Sequence, residues 1–566
     1  MFYSSVIRSA STAIISNNRI MKTSKKSTRT PLLNVLRKAF SLSLQSEKPG
    51  MPPVDELIEI DRENYIHRRK FMSNILKTGI AISAASFLDA CRKLPIPEPG
   101  NNGTQPKIII IGAGIAGLNC AYQLKKAGLI ATVYEGATRT GGRIFTGKDI
   151  LAPGLTTELG GEFIDSGHED MLQLSQELGV ELIDKLSLES DNIKDRFFID
   201  GRFYSETEVI KAFKPYASRI AKDINSLPDV MTYDDHDDVT LKFDLMSLHA
   251  YLDSINMTGF IRKGIEIAYL TEYGLETTEQ SSINFLYLFS PDTSEGFETF
   301  GASDERYKIK GGTQLITNAL YKKLENKINL GHQLVKIKQS LFGYLLYFTN
   351  SNGFTTTVYA DVIVSAIPFT TLRNVEIDVA LPYWKKNAIK NLGYGTNAKL
   401  LLGFNRKIWE KYHYSEYVVT DKVLQSGWDN SIGQPGKSGG FTAFQGGDAG
   451  IELGAGTPEQ QAPKFIAELE QMWPGAAMAF NGNVKRMHWP TYPFTKGSYA
   501  CYKMGQYTSI RGAEIKPIGN FYFAGEHCSS ENQGYMNGGA ETGRLAAESI
   551  LSSIGASKPV LSNPLS

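Results

Sequence analysis

Residues Ile108 to Ile111 are four consecutive isoleucines that run straight into Gly112, Gly114 and Gly117. An unbroken apolar run of this length is expected of a parallel strand buried on both faces, and the glycine spacing sets the geometry of the turn and helix after it. The first glycine permits a tight turn, the second lets a phosphate approach the backbone, and the third lets a helix over 115–127 pack against the strand. That helix would aim its N-terminal N–H groups at the phosphates. A second apolar strand, IATVYE, ends at Glu135, eighteen residues past Gly117, where a carboxylate accepts hydrogen bonds from ribose hydroxyls. Strand, turn, helix, strand and acid together predict an α/β domain with a Rossmann-like dinucleotide site for an adenosine with a free 2′-OH.

This motif alone does not separate a nicotinamide from a flavin dinucleotide. The next residues favour the longer ligand: EGATRTGGRIFT places Gly141, Gly142 and Arg143 just beyond the ribose acid, and TTELGGEF adds Gly160 and Gly161. Paired glycines so close behind imply further close approaches of backbone to ligand, and Arg143 can neutralise a pyrophosphate.

At 566 residues and 42% hydrophobic, the chain has room for two to four domain-sized units. Its 60 basic and 59 acidic side chains leave a net charge of +1, so the overall balance gives no reason to expect nucleic acid as a partner. Cys91, Cys120, Cys501 and Cys528 lack the spacing of a metal site, and no metal is expected. Cys120 reads as a small core residue, while pairing of Cys501 with Cys528 stays open.

Residues 1–105 read as a basic leader. Glu47 is the only acid in the first fifty residues, and PLLNVLRKAF has the pattern of a short basic amphipathic helix. Arg68 and Arg69 precede a weakly apolar run, Gly79 to Leu88, too short for a bilayer. The pattern resembles a twin-arginine export signal, the competing reading being an ordinary helix with two surface arginines. It implies export of a folded protein to the periplasm or envelope. LDAC, ending at Cys91, resembles a lipid-attachment site, against the alternative of an unmodified linker cysteine. Residues 92–105 are rich in Pro, Gly and Asn and read as a tether.

From about Pro106 to Ile550 the chain resembles the flavin-containing amine oxidases, the family of monoamine, polyamine and L-amino-acid oxidases. Besides the glycine segments, the likeness rests on RYKIKGGTQLITNAL (306–320), DVIVSAIPFTTL (361–372), GTNAKLLLGF (395–404) and NFYFAGEHCSSENQGYMNGGAETGRLAAESIL (520–551). The resemblance implies FAD as cofactor, with Gly112, Gly114, Ala116, Gly117, Glu135, Gly136 and Arg143 around its adenosine diphosphate half. Gly160 and Gly161 would pass near the flavin. Val335 would touch adenine through its backbone, Glu526 the ribityl or pyrophosphate portion, and Met536 would also belong to the cofactor site. The position that bonds the flavin in monoamine oxidases is Ser498 here, so the attachment is expected to be non-covalent.

Amine oxidation moves the equivalent of a hydride from the carbon beside nitrogen to the flavin, and it needs a neutral amine in a dry site. The resemblance gives the aromatic walls to Tyr499 and Tyr535, and to Lys399 the task of holding a water that assists reoxidation by molecular oxygen. A lysine inside the run NAKLLLGF is costly to bury unless paired or functional. Glu162, beside the second glycine pair, reads as a carboxylate for a cationic substrate.

The expected architecture is an FAD domain of 106–180, 306–372 and 515–555, interleaved with a mixed α+β substrate domain of 181–305 and 373–514. Thr457, with Gln460 three residues on, predicts a capped helix in the latter. The leading expectation is an oxidase that turns an amine into imine, then aldehyde and ammonia, with hydrogen peroxide. The alternatives are an L-amino-acid oxidase or tryptophan monooxygenase, a non-catalytic FAD-bound module, and, last, a nicotinamide dehydrogenase.

Overall fold

A computed structural model of the protein describes residues 31–63, 105–188, 197–292, 304–412 and 417–555. Two sheets carry the architecture. The first has five parallel strands in the spatial order Phe521–Phe523, Val362–Ser365, Ile108–Ile111, Ala131–Tyr134, Ile328–Asn329. Ile108–Ile111 lies in the middle with all four side chains buried, which explains a run without polar alternation. The helix Ile115–Lys126 packs against it so closely that a Cβ on Gly117 would lie 2.0 Å from the Gly112 carbonyl oxygen. The final helix, Met536–Ser553, crosses the first at glycines too: a Cβ on Gly543 would lie 2.2 Å from the Ala116 carbonyl oxygen. Both helices therefore open at one place, beyond the C-terminal ends of the parallel strands.

The second sheet has seven strands in the order Phe480–His488, Ala398–Phe404, Gly439–Gln445, Ser426–Asp429, Tyr417–Thr420, Phe197–Ile199, Arg202–Tyr204. Ala398–Phe404 is paired on both sides and all seven of its residues are buried, Lys399 among them. The strands of the first sheet fall within 106–180, 306–372 and 515–555, and those of the second within 181–305 and 373–514. The helix Pro458–Met472 starts with the expected capping box of Thr457 and Gln460, and Glu206–Asn225 starts with one of Ser205 and Glu208.

Part of the expected leader belongs to this body. Pro31–Gln45 is a helix, and residues 54–63 form a second. Val35, Leu36, Ala39, Phe40, Val54, Leu57 and Ile58 are buried in the same core as the helices of the substrate domain. Phe40 meets the rings of Phe289 at 4.9 Å and Phe213 at 6.3 Å. Lys38 bonds both Asp61 at 2.6 Å and Glu206 at 2.5 Å, tying the two helices to Glu206–Asn225. The amphipathic pattern was legible, but what its apolar face covers was not, because the covering residues lie more than 150 positions later. Arg68, Arg69, Cys91 and the tether up to residue 104 lie outside the described residues. Phe40→Ala is expected to cost about 3–5 kcal/mol and to lower the melting temperature measurably. An unchanged melting curve would show that this helix is not part of the core.

Among the described residues, no helix is long and apolar enough to cross a membrane. Cys120, Cys501 and Cys528 are buried, and no disulfide joins the last two, whose pairing was left open.

Candidate active site

One elongated cavity runs along the C-terminal ends of the parallel strands and into the space under the seven-stranded sheet. At one end it is lined by Tyr134, Glu135, His332, Gln333 and Leu334; in the middle by Gly112, Gly114, Ala116, Gly142 and Arg143; at the other end by Lys399, Trp428, Tyr499 and Tyr535. Gly136, Gly160, Gly161, Glu162, Glu526 and Met536 line it as well. Sequence positions more than 400 residues apart thus meet around one space. Gly117 stands behind it, doing the helix-packing work its place in the motif implies.

The two helix N-termini at the middle of the cavity make a binding site for a negatively charged group. Neither Ile115–Lys126 nor Met536–Ser553 has a side-chain cap bond or an acid in its first turn, so the N–H groups are not met by side chains. A Cβ added at Gly114 would meet no protein atom within 4 Å, leaving room for a ligand against the backbone. Gly112 has φ +103°, a conformation that only glycine adopts readily. Glu135 is held rigid by the N–H groups of Ala113 at 2.7 Å and Ala137 at 2.8 Å. Burial raises its carboxyl above the ordinary range, with those two donors opposing the rise.

Arg143 and Glu526, both expected at the cofactor, are joined at 2.7 Å, and Arg143 also donates to the Ser498 carbonyl at 2.7 Å. Glu526 accepts the Gly534 N–H at 2.8 Å, which orders the turn before the last helix. Gly160 has no room for a side chain, since a Cβ would lie 1.8 Å from the Arg143 carbonyl oxygen, and one on Gly161 would meet the Met536 sulfur at 2.6 Å. Ser498 donates to Asn397 at 2.7 Å, and no cysteine is among the described lining residues. These features fit a dinucleotide of FAD length, held without a covalent bond, from the Glu135 end to the tyrosines.

Val335 is the exception. It sits at an irregularity in strand pairing between Leu334 and Lys336 and is 36% exposed, while the cavity is lined by the three residues before it. Such an irregularity locally disrupts the ladder and can re-aim a side chain relative to its neighbours.

Glu162 departs further from expectation. Its carboxylate lies between two lysines, with Lys308 at 2.9 Å from one oxygen and Lys399 at 3.4 Å from the other, and the Trp428 indole donates to it at 3.0 Å. Burial pushes this carboxyl up, but the two ammonium groups outweigh burial and hold it below the ordinary range. It is already neutralised, so it has little charge to offer a cationic substrate. Lys399 also donates to the carbonyls of Gly160 at 2.8 Å and Glu158 at 3.1 Å. Burial lowers its proton affinity, and Glu162 and Glu158 partly restore it.

Tyr499 donates to the Thr271 carbonyl at 3.2 Å, and Tyr535 sets its ring edge against His168 at 5.0 Å. Trp428, Lys308 and Glu305 were not singled out in the sequence. Lys308 lies inside RYKIKGG, where strand alternation sets it on the face of Arg306 and Lys310, opposite Ile309, and so reads as solvent-facing; Trp428 had no motif to mark it. Glu305 lines the cavity at 6% exposure with φ +44°, and one of its oxygens finds no hydrogen-bond partner. Burial raises its carboxyl well above the ordinary range.

Known proteins share this fold. A pseudooxynicotine dehydrogenase of a Pseudomonas species is 23% identical over 464 residues, covering 78% of this chain and 86% of the relative. A flavin-containing amine oxidase of Oncorhynchus mykiss is 24% identical over 462 residues, covering 79% and 86%. Among solved structures, cyclohexylamine oxidase from Brevibacterium oxydans superposes with a TM-score of 0.69 at 20% identity, over 80% of this chain and all of that one. The family model for flavin containing amine oxidoreductases matches residues 115–551, from the phosphate-facing helix to the closing one, and the chain belongs to that family.

Proposed function

We propose that this flavin amine oxidase acts on amines without a neighbouring carboxylate and uses oxygen as acceptor. The bound FAD supplies the acceptor for a hydride equivalent from the carbon beside nitrogen. The chain's own residues do the rest. Tyr499 and Tyr535 present aromatic faces and exclude water, which favours the neutral amine. Lys399 stands across the same end of the cavity as a buried donor.

The choice of amine over amino acid rests on how the half-buried and buried cations lining the cavity are engaged, Lys496 lining it from an exposed, solvated position. Arg143 is paired with Glu526, and Arg139 donates to the carbonyls of Thr140 and Ile144 at 3.0 and 3.2 Å. Lys399 is committed to Glu162 and two carbonyls. Arg37, from the N-terminal helix, does not line the cavity, and the opposite charge of Asp165 acts on it there. A substrate carboxylate would therefore be desolvated without a dedicated partner, whereas an amine N–H can satisfy Glu305. A peroxide assay should show an amine such as tyramine preferred over the corresponding amino acid by about 100-fold or more in kcat/KM. Glu305→Met, which removes the acceptor, should weaken amine binding, with the larger effect on KM. Turnover confined to amino acids would reject the reading.

Export through the twin-arginine pathway is proposed on Arg68 and Arg69, and a lipid anchor on Cys91. Acylation of Cys91 requires cleavage before it, which would cut the chain between the packed helices 31–63 and the body. Fractionation followed by intact mass of the envelope form tests both: the export reading fails if the protein stays in the cytoplasm.

A further inference from the structure

Two lysines share the single carboxylate of Glu162, and only one of them reaches the cavity. Lys308 comes from the strand Tyr307–Ile309 and donates to Glu162 at 2.9 Å and to the Asn430 carbonyl at 2.8 Å, with a side chain 7% exposed. Lys399 comes from the seven-stranded sheet and takes the other oxygen at 3.4 Å, with a side chain 6% exposed. Trp428 donates to that same second oxygen at 3.0 Å and fixes the carboxylate's orientation. Glu162 and Lys399 line the cavity, and Lys308 stands behind them.

Two buried cations on one anion leave local positive charge, and burial strengthens every interaction among them. The groups facing Lys399 are Glu162, Glu158 and Lys308, and Glu162 faces Glu305 as well. The Glu158 carboxyl is occupied by the Thr313 N–H and the Thr146 hydroxyl, each at 2.8 Å, so it is not free to replace Glu162. We propose that Lys308 is a positioning residue: by holding one oxygen of Glu162 and opposing Lys399 as a like charge, it sets how tightly Lys399 keeps its proton at the cavity wall.

The signs are those of Coulomb's law. Removing Lys308 leaves Lys399 with the whole counter-ion and without a repelling neighbour, so its proton affinity rises. Removing the charge of Glu162 leaves two cations facing each other, so the proton affinity falls.

The inference rests on the reading that FAD occupies the cavity, because the bound flavin is the reporter. The visible spectrum of the holoenzyme is followed from about pH 6 to about pH 10, and Lys399→Met identifies which transition belongs to Lys399 by abolishing it. Lys308→Met is expected to move the midpoint of that transition up by about one pH unit or more, and Glu162→Gln to move it down by a similar amount. Lys308→Arg keeps the charge and should stay near wild type, which a merely space-filling role would not distinguish from methionine. Should Lys308→Met not retain flavin, Lys308→Gln, which keeps a donor for the Asn430 carbonyl, is read in its place. A midpoint that ignores the charge at 308 in flavin-loaded protein, or the absence of any transition that Lys399→Met removes, overturns the proposal. Wild-type protein that binds no flavin sinks the FAD reading instead.

Discussion

Gly114→Ala is expected to yield a folded protein that holds its flavin roughly 10- to 100-fold less tightly. The backbone at 114 has φ −73° and ψ 179°, which alanine adopts without strain, and a Cβ there meets no protein atom within 4 Å. The new methyl would stand in the ligand's space, against the first turn of the helix that faces the pyrophosphate. An intrusion of this size costs about 1–3 kcal/mol, or roughly 10- to 100-fold in affinity. Thermal unfolding of the apoprotein should match wild type while the flavin dissociation constant rises. Gly117→Ala is the informative contrast: its Cβ would lie 2.0 Å from the Gly112 carbonyl oxygen, so it should lower the apoprotein's melting temperature as well. Equal flavin affinity in wild type and Gly114→Ala would mean that the phosphates do not pass this turn.

Lys399→Met should slow reoxidation of the reduced enzyme by about 100-fold while leaving anaerobic reduction by the amine within a few-fold of wild type. Removing one preorganised donor from a water-poor site typically costs this much. The substitution leaves Glu162 with Lys308 and Trp428, so no carboxylate is stranded and the fold should hold. Stopped-flow measurement of the two half-reactions separates the effects. Reoxidation at the wild-type rate would remove Lys399 from the oxygen step and leave it a structural cation.

What could be read from the sequence was local or periodic. Four isoleucines, three glycines and Glu135 carry the dinucleotide site because each acts within one strand–turn–helix unit, where spacing translates directly into geometry. The burial of Lys399 was legible for the same reason, as an ionisable residue in a strand with no polar alternation. Pairings between distant segments were not. Nothing near Glu162 in the chain announces that Lys308, 146 residues later, will neutralise it, so a buried counter-ion reads as a substrate carboxylate. Nor does the sequence around Phe40 reveal Phe213 and Phe289, and a basic amphipathic helix ahead of Arg68 and Arg69 then looks like part of a leader. Val335 sits at a one-residue irregularity in strand pairing that leaves no compositional trace.

The docked N-terminal helices bear on what proteolysis can do to this molecule. A single cut anywhere between residues 64 and 104 would leave a short amino-terminal fragment seated on the rest by non-covalent contacts, among them the shared hydrophobic core, Lys38 with Glu206, Asp55 with Lys211 and Glu47 with Ser218. Its retention would become a bimolecular equilibrium, insensitive to dilution while the chain is intact and sensitive to it afterwards. Nicked enzyme would then lose thermal stability on dilution and regain it when the synthetic fragment is added back.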